Sequence, residues 1–167
     1  MPENHLTSAL QLQNTTLATY IPLFEAAGVK QVISASPLAM GLLRNEGGQV
    51  WHPASPALQK AREDAVQLVT KAGTTLEAVA LGYGLASAGS SATHTPIVVG
   101  LSTPEEVHET MRVFSQLYKD PKARDAREPG TGTGLGAEQQ KQLKLEGEVT
   151  DIIRKAGAFN WTWDSGV

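Results

Sequence analysis

The chain has 167 residues, a formal net charge of −3 and no cysteine. Its length suits a single domain, and a hydrophobic fraction of 41% with 19% charged residues is typical of a folded chain rather than a disordered one. The lack of cysteine excludes disulfides, thiolate metal sites and thiol chemistry. Since nucleic acids demand clustered Lys and Arg, this charge balance favours no nucleic-acid partner.

Neither a leader nor a membrane segment is predicted. The N-terminal residues Met1-Pro2-Glu3-Asn4-His5 contain no basic stretch followed by an apolar run, which a signal peptide requires. No stretch approaches the roughly 18 consecutive apolar residues of a membrane span. We therefore expect a cytoplasmic protein with no membrane partner.

Hydrophobic periodicity divides the chain into helices and strands. Residues 1–13 are polar and are predicted to form a loop. The next predicted elements are a helix over 15–27, a strand over 29–36, helices over 55–72 and 75–86, a strand over 96–100, and helices over 104–118 and 137–155. Pro22 lies inside the first of these helices, where its missing N–H predicts a kink or a break.

Three of the predicted helices begin at recognisable caps. Ser55 is a suitable N-cap and is followed by Pro56 in the first turn. Thr74 and Glu77 have the spacing of a capping box, in which each side chain bonds the other's backbone N–H. Ser102 is the predicted N-cap of the helix over 104–118.

The order strand, helices, strand predicts an α/β fold with parallel strands. Two parallel strands leave unpaired edges, so we expect further strands to complete the sheet. Residues 119–136 are first charged and then rich in Gly and Thr, which predicts a linker. It would join residues 1–118 to a C-terminal helix and Trp-containing tail, 137–167, of the same domain.

Two strand ends are candidate anion sites. Gly100-Leu101-Ser102 follows a buried strand and opens a helix, whose N-terminus attracts anions, although an ordinary N-cap explains the same residues. Ser36-Pro37-Leu38 occupies the corresponding place after the other strand. Gly132 to Ala137 formally match G-x-G-x-x-A, but a charged, Pro-containing segment precedes them instead of a strand, which favours a linker.

The histidines do not suggest a catalytic or metal site. His5, His52, His94 and His108 show no paired ligand spacing, so we assign no metal. Each is expected to be a solvated or capping side chain, with His108 on an outward-facing part of its helix. No catalytic residue is assigned anywhere in the chain.

Several segments resemble one known family. They are Leu12-Gln13-Asn14-Thr15-Thr16-Leu17, Ala26-Ala27-Gly28-Val29-Lys30, Ile33 to Leu43 with its Ser-Pro-Leu-Ala-Met-Gly-Leu-Leu run, Trp51-His52-Pro53-Ala54-Ser55-Pro56, Leu76 to Tyr83, and Pro96 to Ser102. Together these segments resemble the aldo-keto reductases, with the D-arabinose and L-galactose dehydrogenases of fungi and plants as the nearest branch. The resemblance covers about residues 12 to 118.

The resemblance implies a partial (β/α)8 barrel. Members of this family transfer a hydride between a nicotinamide and a carbonyl or a sugar hydroxyl. The strands over 29–36 and 96–100 resemble the seventh and eighth of the barrel, and residues 4–13 resemble a remnant of the sixth strand's exit. The family's catalytic Asp, Tyr, Lys and His lie on early strands, and no position here matches them.

By the same resemblance, part of an NAD(P) site remains, with weak or vestigial binding. The implied cofactor-binding residues are Ser36, Pro37, Leu38 and Gly41 after the seventh strand, and Gly100, Ser102 and Glu106 after the eighth. Thr110 stands where many members have an Asn that contacts the adenine. A small carbonyl or sugar substrate is implied only if further strands complete the barrel.

Three functions remain open at this point. The chain is a truncated or partial NAD(P)-dependent oxidoreductase, an inactive remnant that acts as a binding or interaction module, or a small enzyme with different chemistry on the old loops. Missing strands would leave apolar surface on Val32, Ile97 and Val99, which predicts self-association or poor solubility of the isolated chain.

Overall fold

The computed structural model describes residues 4–7, 11–88, 95–118 and 136–162. In these ranges the chain forms, in order, β1 (Asn4–Thr7), α1 (Leu17–Ala26), β2 (Gln31–Ala35), a short 3-10 turn (Ala39–Gly41), α2 (Pro56–Lys71), α3 (Leu76–Ala88), β3 (Ile97–Val98), α4 (Pro104–Tyr118) and α5 (Ala137–Lys155). All five predicted helices and both predicted strands are present. Residues 119–135 of the predicted linker lie outside the described residues.

The three strands form one parallel sheet in the order β1, β2, β3. Leu6 is paired with Ile33, and Ser34 is paired with Ile97. Parallel strands joined by helices are the repeating unit of a (β/α)8 barrel, so the predicted α/β fold class, a partial barrel, is confirmed.

Strand β1 corrects the prediction of a loop over residues 1–13. Its four residues, Asn4–Thr7, are too few and too polar to show an alternating pattern. They become a strand through backbone pairing with β2. That pairing depends on a partner more than twenty residues away in the sequence.

Helix α1 runs through Pro22 without interruption, so the predicted break there is absent. Pro22 is exposed, whereas Leu17 is fully buried and Ile21 and Phe24 pack beside it. The packed face therefore supports the helix although its proline lacks a donor.

The main core joins α2 and α3 to α5, which is distant from both in the sequence. Leu58 and Val69 of α2, Val79 of α3, and Val149 and Ile153 of α5 are almost completely buried in one cluster. Helix α3 is the central element, because eleven of its thirteen residues are buried. An apolar helix without a polar face is expected where neighbours pack on several sides.

The two faces of the sheet differ from the sequence-based expectation. The missing strands predict exposed apolar surface on Val32, Ile97 and Val99, but all three are partly buried. Val32 and Ile97 pack in the cluster that includes Leu17 of α1, and Val99 packs against the cluster that includes Val113 of α4. Val98, which neighbours Ile97, is instead 53% exposed. Among the described helices, none combines the length and the apolar character needed to span a membrane.

Candidate functional site

Two loops meet at the carboxyl ends of neighbouring strands. The long loop, residues 36–55, follows β2, and the short loop, residues 99–103, follows β3. The backbone N–H of Ser36 donates to the Val98 carbonyl over 3.3 Å, which joins the first residue of the long loop to the end of β3. Ligand sites of parallel α/β folds lie at this end of the sheet.

The long loop begins with a tight left-handed path. Ser36, Ala39 and Met40 have φ values of 55°, 50° and 54°, and Gly41 follows at 90°. This conformation costs free energy for residues other than glycine. Two bonds to the Ser36 carbonyl oxygen support it: the Ala39 N–H donates over 2.8 Å and Nε2 of Gln11 over 2.5 Å. The surrounding contacts therefore fix a strained backbone at the strand end.

His52 closes the long loop on itself. Its Nδ1 accepts a hydrogen bond from the Ala54 N–H over 3.1 Å, so Nε2 carries the proton and donates to the Ala39 carbonyl over 2.9 Å. The side chain is only 7% exposed. The solvated role allowed for His52 is therefore wrong, whereas His108 is exposed as expected. His94 and the side chain of His5 lie outside the described part of the chain.

An ion pair between Arg44 and Glu106 joins the long loop to the first turn of α4. The Glu106 carboxylate also accepts the Ser102 N–H over 2.6 Å. These contacts, the Ser102 N–H first and the Arg44 guanidinium second, lower the pKa of Glu106. Oγ1 of Thr103 accepts the Glu106 N–H over 3.3 Å. Thr103 is thus the N-cap of α4, which corrects the prediction of Ser102.

Arg44 retains an unused donor. Its Nε is buried and has no hydrogen-bond partner. Arg44 also lines a cleft of about 380 Å³ beside Gly41, Gly48 and Gln49. The Arg44 side chain as a whole is 36% exposed, so the outer part of its guanidinium is available to a ligand in this cleft.

The long loop is anchored on the N-terminus of α3. Asn45 donates its N–H to Oε1 of Glu77 over 2.8 Å, and its Oδ1 accepts the Leu76 N–H over 2.9 Å. Glu77 is therefore occupied by the loop, so the predicted capping box with Thr74 is wrong. Thr75 caps α3 instead, because its Oγ1 accepts the Ala78 N–H over 3.2 Å.

The implied cofactor residues lie on both loops, but in different settings. Pro37 is buried close to Gly84 of α3 and acts as a packing residue. Gly100 is exposed, with open space where a side chain would extend. The Ser102 N–H is occupied by Glu106. Thr110 is buried in α4.

Arg44 is not among the site residues that the sequence predicted. The residue follows the recognisable Gly-Leu-Leu run directly, which places it in the same loop. Its pairing with Glu106, however, arises only when the two strand ends meet, so no local pattern could indicate it. Proximity to the implied site was the one signal available.

A larger cleft of about 540 Å³ lies elsewhere, among α3, α4 and α5, and is lined by Gly82, Arg112 and Gln142 among others. It is lined by no implied cofactor residue. The smaller cleft beside Arg44, which Gly41 also lines, is therefore the better candidate for a cofactor site. Among the described residues, no group of three or more His, Cys, Asp or Glu side chains could hold a metal ion.

Comparison with known proteins assigns the family. A parallel sheet with loops gathered at its carboxyl edge is found in α/β barrels and in doubly wound α/β folds. The aldo/keto reductase family profile matches residues 7–127. L-galactose dehydrogenase of Arabidopsis thaliana is 32% identical over 156 residues, which are 93% of this chain and 41% of that protein. The chain therefore belongs to the aldo/keto reductase family, and it spans about two fifths of the length of this relative.

Proposed function

We propose that the chain supplies part of the dinucleotide site of an NAD(P)-dependent oxidoreductase. The observation that carries this proposal is the junction of two strand-end loops through Arg44 and Glu106, with the partly exposed Arg44 side chain lining a cleft. Membership of the aldo/keto reductase family supports the same assignment. A small carbonyl or sugar substrate would be bound only with further strands of the barrel in place.

The chemistry of the two charged side chains fits different parts of a dinucleotide. Arg44 is the donor suited to a phosphate oxygen, since a guanidinium offers several N–H groups in a fixed plane. The Glu106 carboxylate would repel phosphate and suits donors such as ribose hydroxyls or an adenine amino group. When bound, the nicotinamide supplies or accepts the hydride, while the residues named here bind and orient the dinucleotide.

Affinity should be poor for this chain alone. The loops over 36–44 and 100–106 offer one side of a site, whereas tight ligands are buried on most of their surface. We expect a dissociation constant weaker than roughly 100 μM, which corresponds to a binding free energy less favourable than about −5.5 kcal/mol. Weak binding of the dinucleotide is what we expect from a site of which only one side is present.

A titration with NADPH tests the proposal through Arg44. Arg44→Gln removes the guanidinium and should weaken NADPH binding by at least about tenfold, in line with the loss of a charge-assisted contact. Arg112→Gln is the matched control, because Arg112 pairs with Glu109 on α4, and it should bind NADPH like the wild type. Equal affinity in both variants would contradict the proposal.

A further inference from the structure

The imidazole of His52 holds the beginning and the end of the long loop together. Its Nε2 donates to the Ala39 carbonyl over 2.9 Å near the start of the loop. Its Nδ1 accepts the Ala54 N–H over 3.1 Å near the end of the loop. His52 is buried, so water competes little for either bond. Both ring nitrogens are therefore engaged with the backbone of the loop.

The Ala39 carbonyl belongs to a turn with an unfavourable backbone. Ala39 and Met40 are two consecutive left-handed residues, a conformation that crowds Cβ against the backbone. The same carbonyl oxygen accepts the Leu42 N–H over 3.1 Å, which closes the turn. The bond from His52 adds a second donor to this oxygen and so stabilises the turn in a conformation that its own residues do not prefer.

This turn sets the position of Arg44. The Gly41 carbonyl, at the end of the turn, accepts the Arg44 N–H over 3.2 Å, and the Arg44 carbonyl accepts the Gly47 N–H over 3.0 Å. The backbone of Arg44 is therefore held on both sides. From this point the side chain reaches Glu106 and lines the cleft. A change in the turn would shift the origin of the side chain and move its guanidinium.

The imidazole also supports the opposite wall of the cleft. Gly48 lines the cleft together with Gly41 and Arg44. A methyl group at Gly48 would lie 3.0 Å from Cγ of His52, so the backbone at Gly48 lies directly against the ring. The Trp51 ring stacks on the same imidazole, with the centroids 6.1 Å apart. His52 thus contacts the loop on both sides of the cleft.

We propose that His52 is a positioning residue of this cleft, which holds the Arg44 guanidinium in place through the Ala39 carbonyl. The Nε2 bond to Ala39 carries this role, since Ala39 belongs to the turn that precedes Arg44, whereas Ala54 follows the cleft residues. The placement of Arg44 requires no ligand. The consequence for a bound phosphate rests on the proposed dinucleotide function.

Two substitutions separate the two bonds of the imidazole. His52→Gln provides an amide N–H near the position of Nε2, so it keeps the donor to Ala39 and loses the acceptor for Ala54. His52→Asn provides an oxygen near the position of Nδ1, so it keeps the acceptor for Ala54 and loses the donor to Ala39. Each variant removes the ring and one bond. A purely structural role would therefore affect both variants alike.

Amide hydrogen exchange tests the placement of Arg44 without any ligand. In His52→Asn, the Leu42 and Arg44 amides should exchange at least about threefold faster than in the wild type, since the turn loses one hydrogen bond. In His52→Gln, both amides should exchange as in the wild type. The buried amides of α2 provide the reference for global stability. Equal acceleration in both variants, or in neither, would overturn the proposal.

Nitrogen NMR of the wild-type imidazole provides a test that needs no substitution. The two bonds of the ring require the proton on Nε2. A neutral His52 with its proton on Nδ1 would overturn the proposal, because Nε2 could not then donate to the Ala39 carbonyl.

Titration with NADPH connects the placement of Arg44 to the proposed function. His52→Asn should weaken NADPH binding by about three- to tenfold, the effect of one hydrogen bond, whereas His52→Gln should bind like the wild type. His108→Asn, which removes an exposed imidazole on α4, is the matched control and should leave the affinity unchanged.

The two measurements distinguish failure of the positioning role from failure of the dinucleotide site. If the wild type binds no NADPH but hydrogen exchange separates His52→Asn from His52→Gln, the dinucleotide function is wrong and the positioning role is supported. If the wild type binds NADPH and both variants weaken binding equally, the positioning role is wrong and the dinucleotide function is unaffected.

Discussion

Arg44 and Glu106 are 62 positions apart in the sequence, yet their side chains join the two loops of the candidate site. The Glu106 carboxylate receives both the Arg44 guanidinium and the Ser102 N–H. Glu106 thus holds the short loop through the Ser102 N–H and helps to orient the Arg44 guanidinium at the cleft. Family resemblance indicated Glu106, but its partner could not be found without the tertiary contact.

The stability that Glu106 contributes should depend on pH in a defined direction. Its contacts lower its pKa in the folded state, so the ionised form is favoured by folding. The contribution is fully present above the unfolded pKa of about 4.3 and is lost as the pH falls through the lower folded pKa. Glu106→Gln should therefore unfold at lower urea concentration than the wild type at neutral pH.

Urea unfolding at a series of pH values checks this expectation. The gap between wild type and Glu106→Gln should narrow as the pH falls below about 4.3, because the unfolded chain then takes up the proton before the folded chain does. Glu105→Gln, which changes an exposed neighbour in the same turn, controls for the loss of a charge near the helix N-terminus. A gap that stays constant down to the lowest pH would contradict the assignment.

At the scale of elements, α3 positions the long loop from two sides. Asn45 and Glu77 join the loop to the start of α3. Further along, Gly84 lets Pro37 approach closely, since a methyl group at Gly84 would lie 2.9 Å from Cβ of Pro37 and 3.3 Å from Cδ1 of Ile97. A helical glycine thus allows the loop, the helix and β3 to pack together.

Gly84→Ala should therefore destabilise the fold, by about 1–3 kcal/mol, because the added methyl overpacks the contact with Pro37. Gly147→Ala is the matched change in α5, where a methyl group meets open space. That variant should be more stable than the wild type by about 0.5–1 kcal/mol, the difference in helix propensity. Denaturant unfolding of both variants measures the contrast. A stabilising Gly84→Ala together with a destabilising Gly147→Ala would contradict the packing explanation.

The helices were predictable because their signals are local. The apolar spacing of α2, with Ser55 as its cap, is fully realised, since Ser55 Oγ accepts the Leu58 N–H over 3.2 Å. Strand β1 and the position of Glu77 were not predictable, because both depend on segments that meet only in the folded chain. The same holds for the candidate site: the sequence indicated its loops, whereas the contacts between them are tertiary.

At the scale of the whole molecule, the sheet has three parallel strands among the described residues, whereas a closed barrel has eight. The chain corresponds to 41% of the Arabidopsis thaliana L-galactose dehydrogenase. The family resemblance assigns the catalytic Asp, Tyr, Lys and His to early strands of the barrel, and we expect no position of this chain to match them. Binding without turnover is therefore the behaviour that we propose for this chain in isolation.

The 167-residue chain should not measurably reduce aldehydes or oxidise D-arabinose or L-galactose. General acid–base groups contribute about 10²–10⁴ in rate, and none is assigned here. Absorbance of the reduced nicotinamide at high protein concentration provides the assay. A double variant, Ser36→Ala with Ser102→Ala, is the control. Turnover that the double variant abolishes would contradict the expectation and would favour a small enzyme with chemistry of its own.

Amide NMR of the isotopically labelled chain during titration with NADPH tests the central claim most directly. We predict saturable shifts that concentrate in residues 36–44 and 100–106, with a dissociation constant weaker than roughly 100 μM, and their loss in Arg44→Gln. Shifts confined to the cleft among α3, α4 and α5, or no shifts at millimolar NADPH, would contradict the assignment of the strand-end loops as a dinucleotide site.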